Sequence, residues 1–186
     1  MRKYLLLLFI IITTLVHAQE LSIVGVPLSG TITEFSSKLQ KKGYKISSFS
    51  KELPIGQRAF EGRFSNDDAL ILVTYFTDTK KVYDATLVIS SFEESHLKQY
   101  YELFKEIISS KFQKLGKSSN GEIDRFNGRN MWRFFCYDSD SSKIASAYIY
   151  YNIIPADDEF DTIYQINLKI RNKDAPSFLE ETINSF

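Results

Sequence analysis

The stretch KVYDATLVISSFEESHLKQYYELFKEIISSKFQKLG, Lys81 to Gly116, decides the fold, because the period of its apolar residues changes partway along it. From Lys81 to Ser90 the period is two: Tyr83, Ala85, Leu87 and Ile89 share one parity, and Val82, Asp84, Thr86 and Val88 take the other. Such alternation, rich in Val, Ile, Thr and Tyr, specifies a strand. From Glu93 the period becomes helical. Leu97, Tyr101, Phe104, Ile108, Phe112 and Leu115 recur at three- and four-residue steps and form one apolar stripe, which Gly116 ends.

Working outward, Arg58–Phe64 and Ala69–Phe76 read as strands before this segment, joined by turn chemistry at Asn66-Asp67-Asp68 and Asp78-Thr79-Lys80. After it, Asn130–Tyr137, Lys143–Ile154 and Asp161–Ile170 read as strands, with turns at Asp138–Ser142 and Pro155–Glu159. Strands that follow one another through short turns pair antiparallel. The pattern therefore predicts an α+β fold, an antiparallel meander sheet with helices packed on one face. A first helix starts at Thr31, where Thr31-x-x-Glu34 fits a capping box, and Gly43 stops it. A short last helix is expected near Pro176–Ile183, with Asp174 as its cap.

The chain carries an internal echo. Phe35-Ser-Ser-Lys-Leu-Gln-Lys-Lys-Gly43 resembles Ile108-Ser-Ser-Lys-Phe-Gln-Lys-Leu-Gly116, and Phe60-Glu-Gly-Arg63 returns as Phe126-Asn-Gly-Arg129. Residues 19–186 read as one α+β domain. Two readings of the echo stand: two repeated helix-plus-meander units, about 25–90 and 93–186, or chance similarity between two Ser- and Lys-rich helices.

The opening Gly25-Val-Pro-Leu-Ser-Gly30, followed by Thr-Ile-Thr-Glu-Phe35 and Leu39-x-x-Lys-Gly43-Tyr44, resembles that of small secreted proteins from Bacteroides-type bacteria. Arg58-Ala-Phe60-x-Gly62 and the meander are similar as well. That family has no assigned activity, so the resemblance implies location and fold rather than chemistry. The layout of two helix-plus-sheet units also resembles the β-lactamase-inhibitor-protein architecture, an analogy of fold alone.

Residues Met1 to Ala18 read as a cleavable signal peptide. Arg2 and Lys3 form its positive end, Leu5 to Ile12 its apolar core, and Val16-His17-Ala18 its cleavage site before Gln19. The apolar run is shorter than the roughly 20 residues a spanning helix needs. No Cys follows it for lipid attachment. The expected product is periplasmic or secreted, with no stable membrane anchor after cleavage. Processing leaves 21 basic against 23 acidic residues, a formal net charge of −2. That balance argues against nucleic acid as a partner. Cys136 is the single cysteine, so an internal disulfide is ruled out and the core must hold the fold.

Chemistry-bearing motifs are sparse. Processing leaves His96 alone among histidines, and one His with one Cys falls short of a zinc site. His96, beside Glu94 and Lys98, is expected on a solvated or cap-proximal face. Cys136 alternates in phase with Trp132 and Phe134, the pattern of a buried, inert thiol. Ser48–Lys51 and Ser95–Lys98 match Ser-x-x-Lys without the companion motifs of penicillin-recognising enzymes. Asp157-Asp158-Glu159 with Asp161, and Asp138-Ser-Asp140, read as turn formers rather than calcium loops. No metal, no cofactor and no catalytic residue is assigned.

The strongest hint is aromatic. If Trp132, Phe134 and Cys136 face the helices, the other face of that strand carries Met131, Arg133, Phe135 and Tyr137. With a turn centred near Asp140, Arg133 falls across from Tyr148 and Met131 across from Tyr150. Arg and Tyr dominate contact hot spots because they bring area with little loss of entropy. Arg133, Phe135, Tyr137, Tyr148 and Tyr150 are thus the expected binding residues, for a protein or small-molecule ligand. Tyr also simply suits strands, and such a face can pack against the other half of the molecule. The expected function is a non-enzymatic binding protein of the cell envelope. The alternatives are an inhibitor or immunity-type protein directed at an enzyme, and a hydrolase using scattered carboxylates.

Overall fold

Thr31 opens the first helix as the sequence requires: its hydroxyl accepts from Glu34 N, and the Glu34 carboxylate accepts from Thr31 N at 2.8 Å. A cap of this kind contributes about 1 kcal/mol. The computed structural model describes residues 21–115, 117–118, 122–126, 129–137, 140–156 and 161–176. The expected signal peptide 1–18, the helix expected near Pro176–Ile183, Asp138 and the Asp157-Asp158-Glu159 acids lie outside the described residues, save Pro176.

Strands β1 (Ser22–Ile23) and β2 (Val26–Pro27) form a small hairpin ahead of helix α1 (Ile32–Lys41). Then come β3 (Lys45–Ile46), a 3₁₀ turn at Ser48–Lys51, and the meander β4 (Gln57–Phe64), β5 (Asp67–Tyr75) and β6 (Val82–Ser91). Helix α2 (Glu94–Leu115) follows. The chain continues with β7 (Lys117–Ser118), β8 (Glu122–Phe126), β9 (Arg129–Tyr137), β10 (Lys143–Ile154) and β11 (Ile163–Asn172). The fold is α+β, with an antiparallel meander sheet. β11 inserts between β6 and β10, so both meanders merge into one nine-stranded sheet of order β3-β4-β5-β6-β11-β10-β9-β7, with β8 also on β9.

Both described helices pack on one face. Phe60, Ile71, Leu87, Leu168 and Ile149 stand opposite one another on five successive strands and are all buried. Phe35 and Leu39 of α1, with Leu97, Phe104, Ile108 and Phe112 of α2, complete this single core. Tyr100, and not Tyr101, belongs to the fully covered stripe of α2. Both fit the helical period after Leu97; Tyr101 is turned to the flank, where its ring stacks on Tyr151 at 5.6 Å. Val82 also departs from expectation. The register shift opposite Thr74 and Tyr75 carries Val82 into the core, while Asp84, Thr86 and Val88 keep the other face. Gly62 serves close packing: a Cβ there would lie 2.5 Å from the Tyr44 ring, which rests on the bare strand while its hydroxyl donates to Arg63 O.

Candidate binding surface

The face turned away from α1 and α2 is built from rows of facing residues across β6, β11, β10 and β9. One row runs Thr86, Lys169, Tyr148, Arg133; the next runs Asp84, Arg171, Ser146, Phe135; a third runs Val88, Asn167, Tyr150, Met131. The turn between β9 and β10 sets Arg133 against Tyr148 and Met131 against Tyr150, the register the sequence predicts.

Four of the five expected residues, Arg133, Phe135, Tyr137 and Tyr148, form one patch. The Phe135 ring meets the Tyr148 ring edge-on at 6.5 Å. Arg133 and Lys143 place their cations 5.7 and 5.8 Å from the Phe135 centroid, close enough for favourable cation–π contact. Tyr137 extends the stripe along β9, its ring 6.4 Å from Phe135. Tyr150 lies on the same face, in the next row, opposite Met131 and Asn167. Tyr148 is buried, and Arg133, Phe135, Tyr137 and Tyr150 are half-buried. The two meanders lie edge to edge in one sheet, so this face is not packed between them. Its centre is nonetheless covered within the chain, where Asp84, Arg171, Ser146, Asn167, Tyr148 and Met131 are buried. Its accessible part is the half-buried Arg133, Phe135, Tyr137, Tyr150 and Lys169.

The sequence reading missed the centre of the surface. Asp84 is 2% exposed and lies between Lys169 Nζ at 3.1 Å and Arg171 Nε at 3.2 Å. Arg171 also donates from Nη2 to Pro176 O at 2.7 Å, which ties the chain after β11 back to the sheet. An Asp at the outward parity of an apolar strand was the available signal. Its partners were invisible because β6 and β11 are joined only by long-range pairing.

Tyr150 reports on this environment. Burial, and then the negative charge of Asp84, push its hydroxyl up to about 12. Burial leads at Tyr100 and Tyr151 as well, which also rise to about 12, Tyr100 with help from its bond to Asp67. Folding thus holds these three protonated where the unfolded chain ionises near 10. That contribution is complete below pH 10 and is lost as pH rises through about 12. A titration of tyrosinate absorbance followed beside circular dichroism should show these rings ionising together with loss of structure.

His96 lies in the first turn of α2, close to its cap, with its side chain 38% exposed. Its Nε2 lies 3.0 Å from Asp67 Oδ2, and the Tyr100 hydroxyl donates to the same oxygen. These bonds hold the Asp67 carboxyl below the usual carboxylate range, the Tyr100 bond contributing most. The arrangement pins the start of α2 to the start of β5. Cys136 is fully buried against Phe112 O, and burial pushes its thiol up. His96 and Phe112 are 16 residues apart on α2, about 24 Å at the helical rise, so His96 and Cys136 do not form a dyad. Among the described residues no three His, Cys, Asp or Glu side chains are grouped to hold a metal, and Asp140 is exposed at its turn. Comparison with family models, with curated proteins and with solved structures finds no match to this chain.

Proposed function

We propose that the chain is an exported, non-enzymatic binding protein of the cell envelope, processed after Ala18, that engages a protein partner through the β9–β10–β11–β6 face. The observation that carries this reading is the cationic and aromatic patch of Arg133, Phe135, Lys143 and Tyr148, set on a sheet beside the buried Asp84 cluster. Aromatic rings and Arg held on regular strands lose little freedom on binding. Buried charge gives little stability over apolar packing of equal volume. Of the three charges in that cluster, Lys169, 23% exposed at its side chain, is the one a partner can reach, while Asp84 and Arg171 are covered within the chain and position it. The likeness of the opening residues to small secreted proteins supports the location. The inhibitor reading is the narrower form of the same proposal, with an enzyme as the partner.

The test is capture from envelope extract of the source cells by the exported protein, beside the pair Arg133→Ala and Phe135→Ala. Mass analysis of the exported protein should first find Gln19 at its start. One stoichiometric partner should be kept by the native protein and lost by the double variant, with circular dichroism unchanged. Equal retention of that partner by the double variant sinks the assignment of this face.

A further inference from the structure

A cavity of about 490 Å³ opens on the other side of the molecule, between the end of α1, the middle of α2 and the β1–β2 hairpin. Volumes of roughly 300–1,000 Å³ are those that hold small ligands. Its inner wall is apolar: Leu87 and Leu168 come from the helix-facing side of β6 and β11 where the two meanders join, and Phe104 and Ile107 come from α2. Three cations line it as well, Lys42 at the end of α1, Arg63 at the end of β4 and Lys111 on α2. No carboxylate is among the lining residues.

The cations are placed by the fold. Lys111 Nζ donates to Ser22 Oγ at 2.8 Å and Ser22 O at 3.1 Å, which draws the β1–β2 hairpin onto α2. Arg63 is aimed by its bond to Asn66 O across the β4–β5 turn. Lys42 passes over Gly25, where a Cβ would come within 3.2 Å of its Nζ and where φ is +75°, so the hairpin makes room for this ammonium by having no side chain. Burial lowers the Lys111 pKa, and an anion beside it would offset that.

We infer that this cavity binds a small amphipathic anion, an apolar acid of the fatty-acid type, whose hydrocarbon body lies against the half-buried Val24, Phe64 and Ile107, backed by Leu87, Leu168 and Phe104, while its anionic head meets Lys42, Arg63 and Lys111. The inference is independent of the β9–β10–β11–β6 face. An apolar wall alone would take any hydrocarbon. Three cations with no carboxylate among them select a negative head and disfavour a positive one.

Decanoate is the probe, titrated calorimetrically into the exported protein beside decan-1-ol and decyltrimethylammonium. Decanoate should saturate at one per chain, with decanol about tenfold weaker for want of a charged head. The pair Lys42→Met and Arg63→Met keeps the aliphatic stems and should weaken decanoate by about tenfold or more without changing decanol. Ile107→Trp, on a half-buried position of α2, should fill the cavity and abolish binding of both, with circular dichroism reporting that it folds. Absence of saturable decanoate binding, equal affinity for decanol, or unchanged decanoate affinity in the double Met variant each overturns the inference.

Discussion

Asp84→Ala is expected to lower the unfolding free energy by about 3–5 kcal/mol, since removing one member of a buried ion group leaves the others without their counter-charge. Lys169 and Arg171 differ in how they can respond. Lys169 is 23% exposed at its side chain and can swing its ammonium toward water. Arg171 is 4% exposed at its side chain, and its Nη2 is held by Pro176 O, so its guanidinium stays where it is. Lys169→Ala should therefore cost much less than Asp84→Ala, and Asp84→Asn, which keeps the shape without the charge, should fall between them. Urea denaturation measures all three. The variants also carry a second signature at Tyr150. Its hydroxyl is raised to about 12 first by burial and then by the Asp84 charge, so Asp84→Asn should bring it down while burial keeps it above the ordinary 10. A stability loss below about 1 kcal/mol for Asp84→Ala would show that water already reaches the cluster.

How much of this was legible in the sequence follows from how local each feature is. Thr31 and Glu34 are three residues apart, and the capping box they predict is the one observed. Arg133 and Tyr148 face each other because the turn near Asp140 fixes their register, and a turn is local information. The strand Lys143–Ile154 is found with the bounds the sequence predicts, whereas the last strand runs Ile163–Asn172 rather than Asp161–Ile170. Glu122–Phe126 went unrecognised as a strand, being five residues, three of them charged, on the flank of β9. The pairing of β6 with β11 joins segments some 80 residues apart and leaves no mark in either one. Asp84, Lys169 and Arg171 are each plain in the sequence, and only that pairing makes them a cluster. The same holds for Asp67 with His96, and for the three cations of the cavity, which come from the C-cap of α1, from β4 and from α2.

Phe104→Ala is the second large loss, expected at about 3–5 kcal/mol for truncating a fully buried aromatic side chain. Phe104 sits on the stripe of α2, with its ring 5.8 Å from Phe64 and 6.0 Å from Tyr100, so truncation strips both rings of a partner. Two effects oppose each other over the size of the loss. A void opening into existing space recruits water more easily than a sealed one, which would soften the cost. Against this, Leu87 and Leu168, which share the cavity wall with it, belong to strands fixed by the rest of the core, so collapse is limited. The second effect should win, because sheet registers on both sides of Leu87 and Leu168 hold those side chains in place. Phe104 also lines the cavity, so the variant enlarges that space and removes one of its walls. Phe112→Ala, equally buried but not among the lining residues, is the control. Both should lose comparable stability in urea. The anion inference adds that millimolar decanoate should raise the midpoint of Phe112→Ala as it does that of the native protein, by the linkage of ligand binding to folding. In Phe104→Ala the shift should differ from that common value, because the hydrocarbon body of the ligand meets a different wall. Equal shifts in all three proteins would mean that decanoate binds elsewhere.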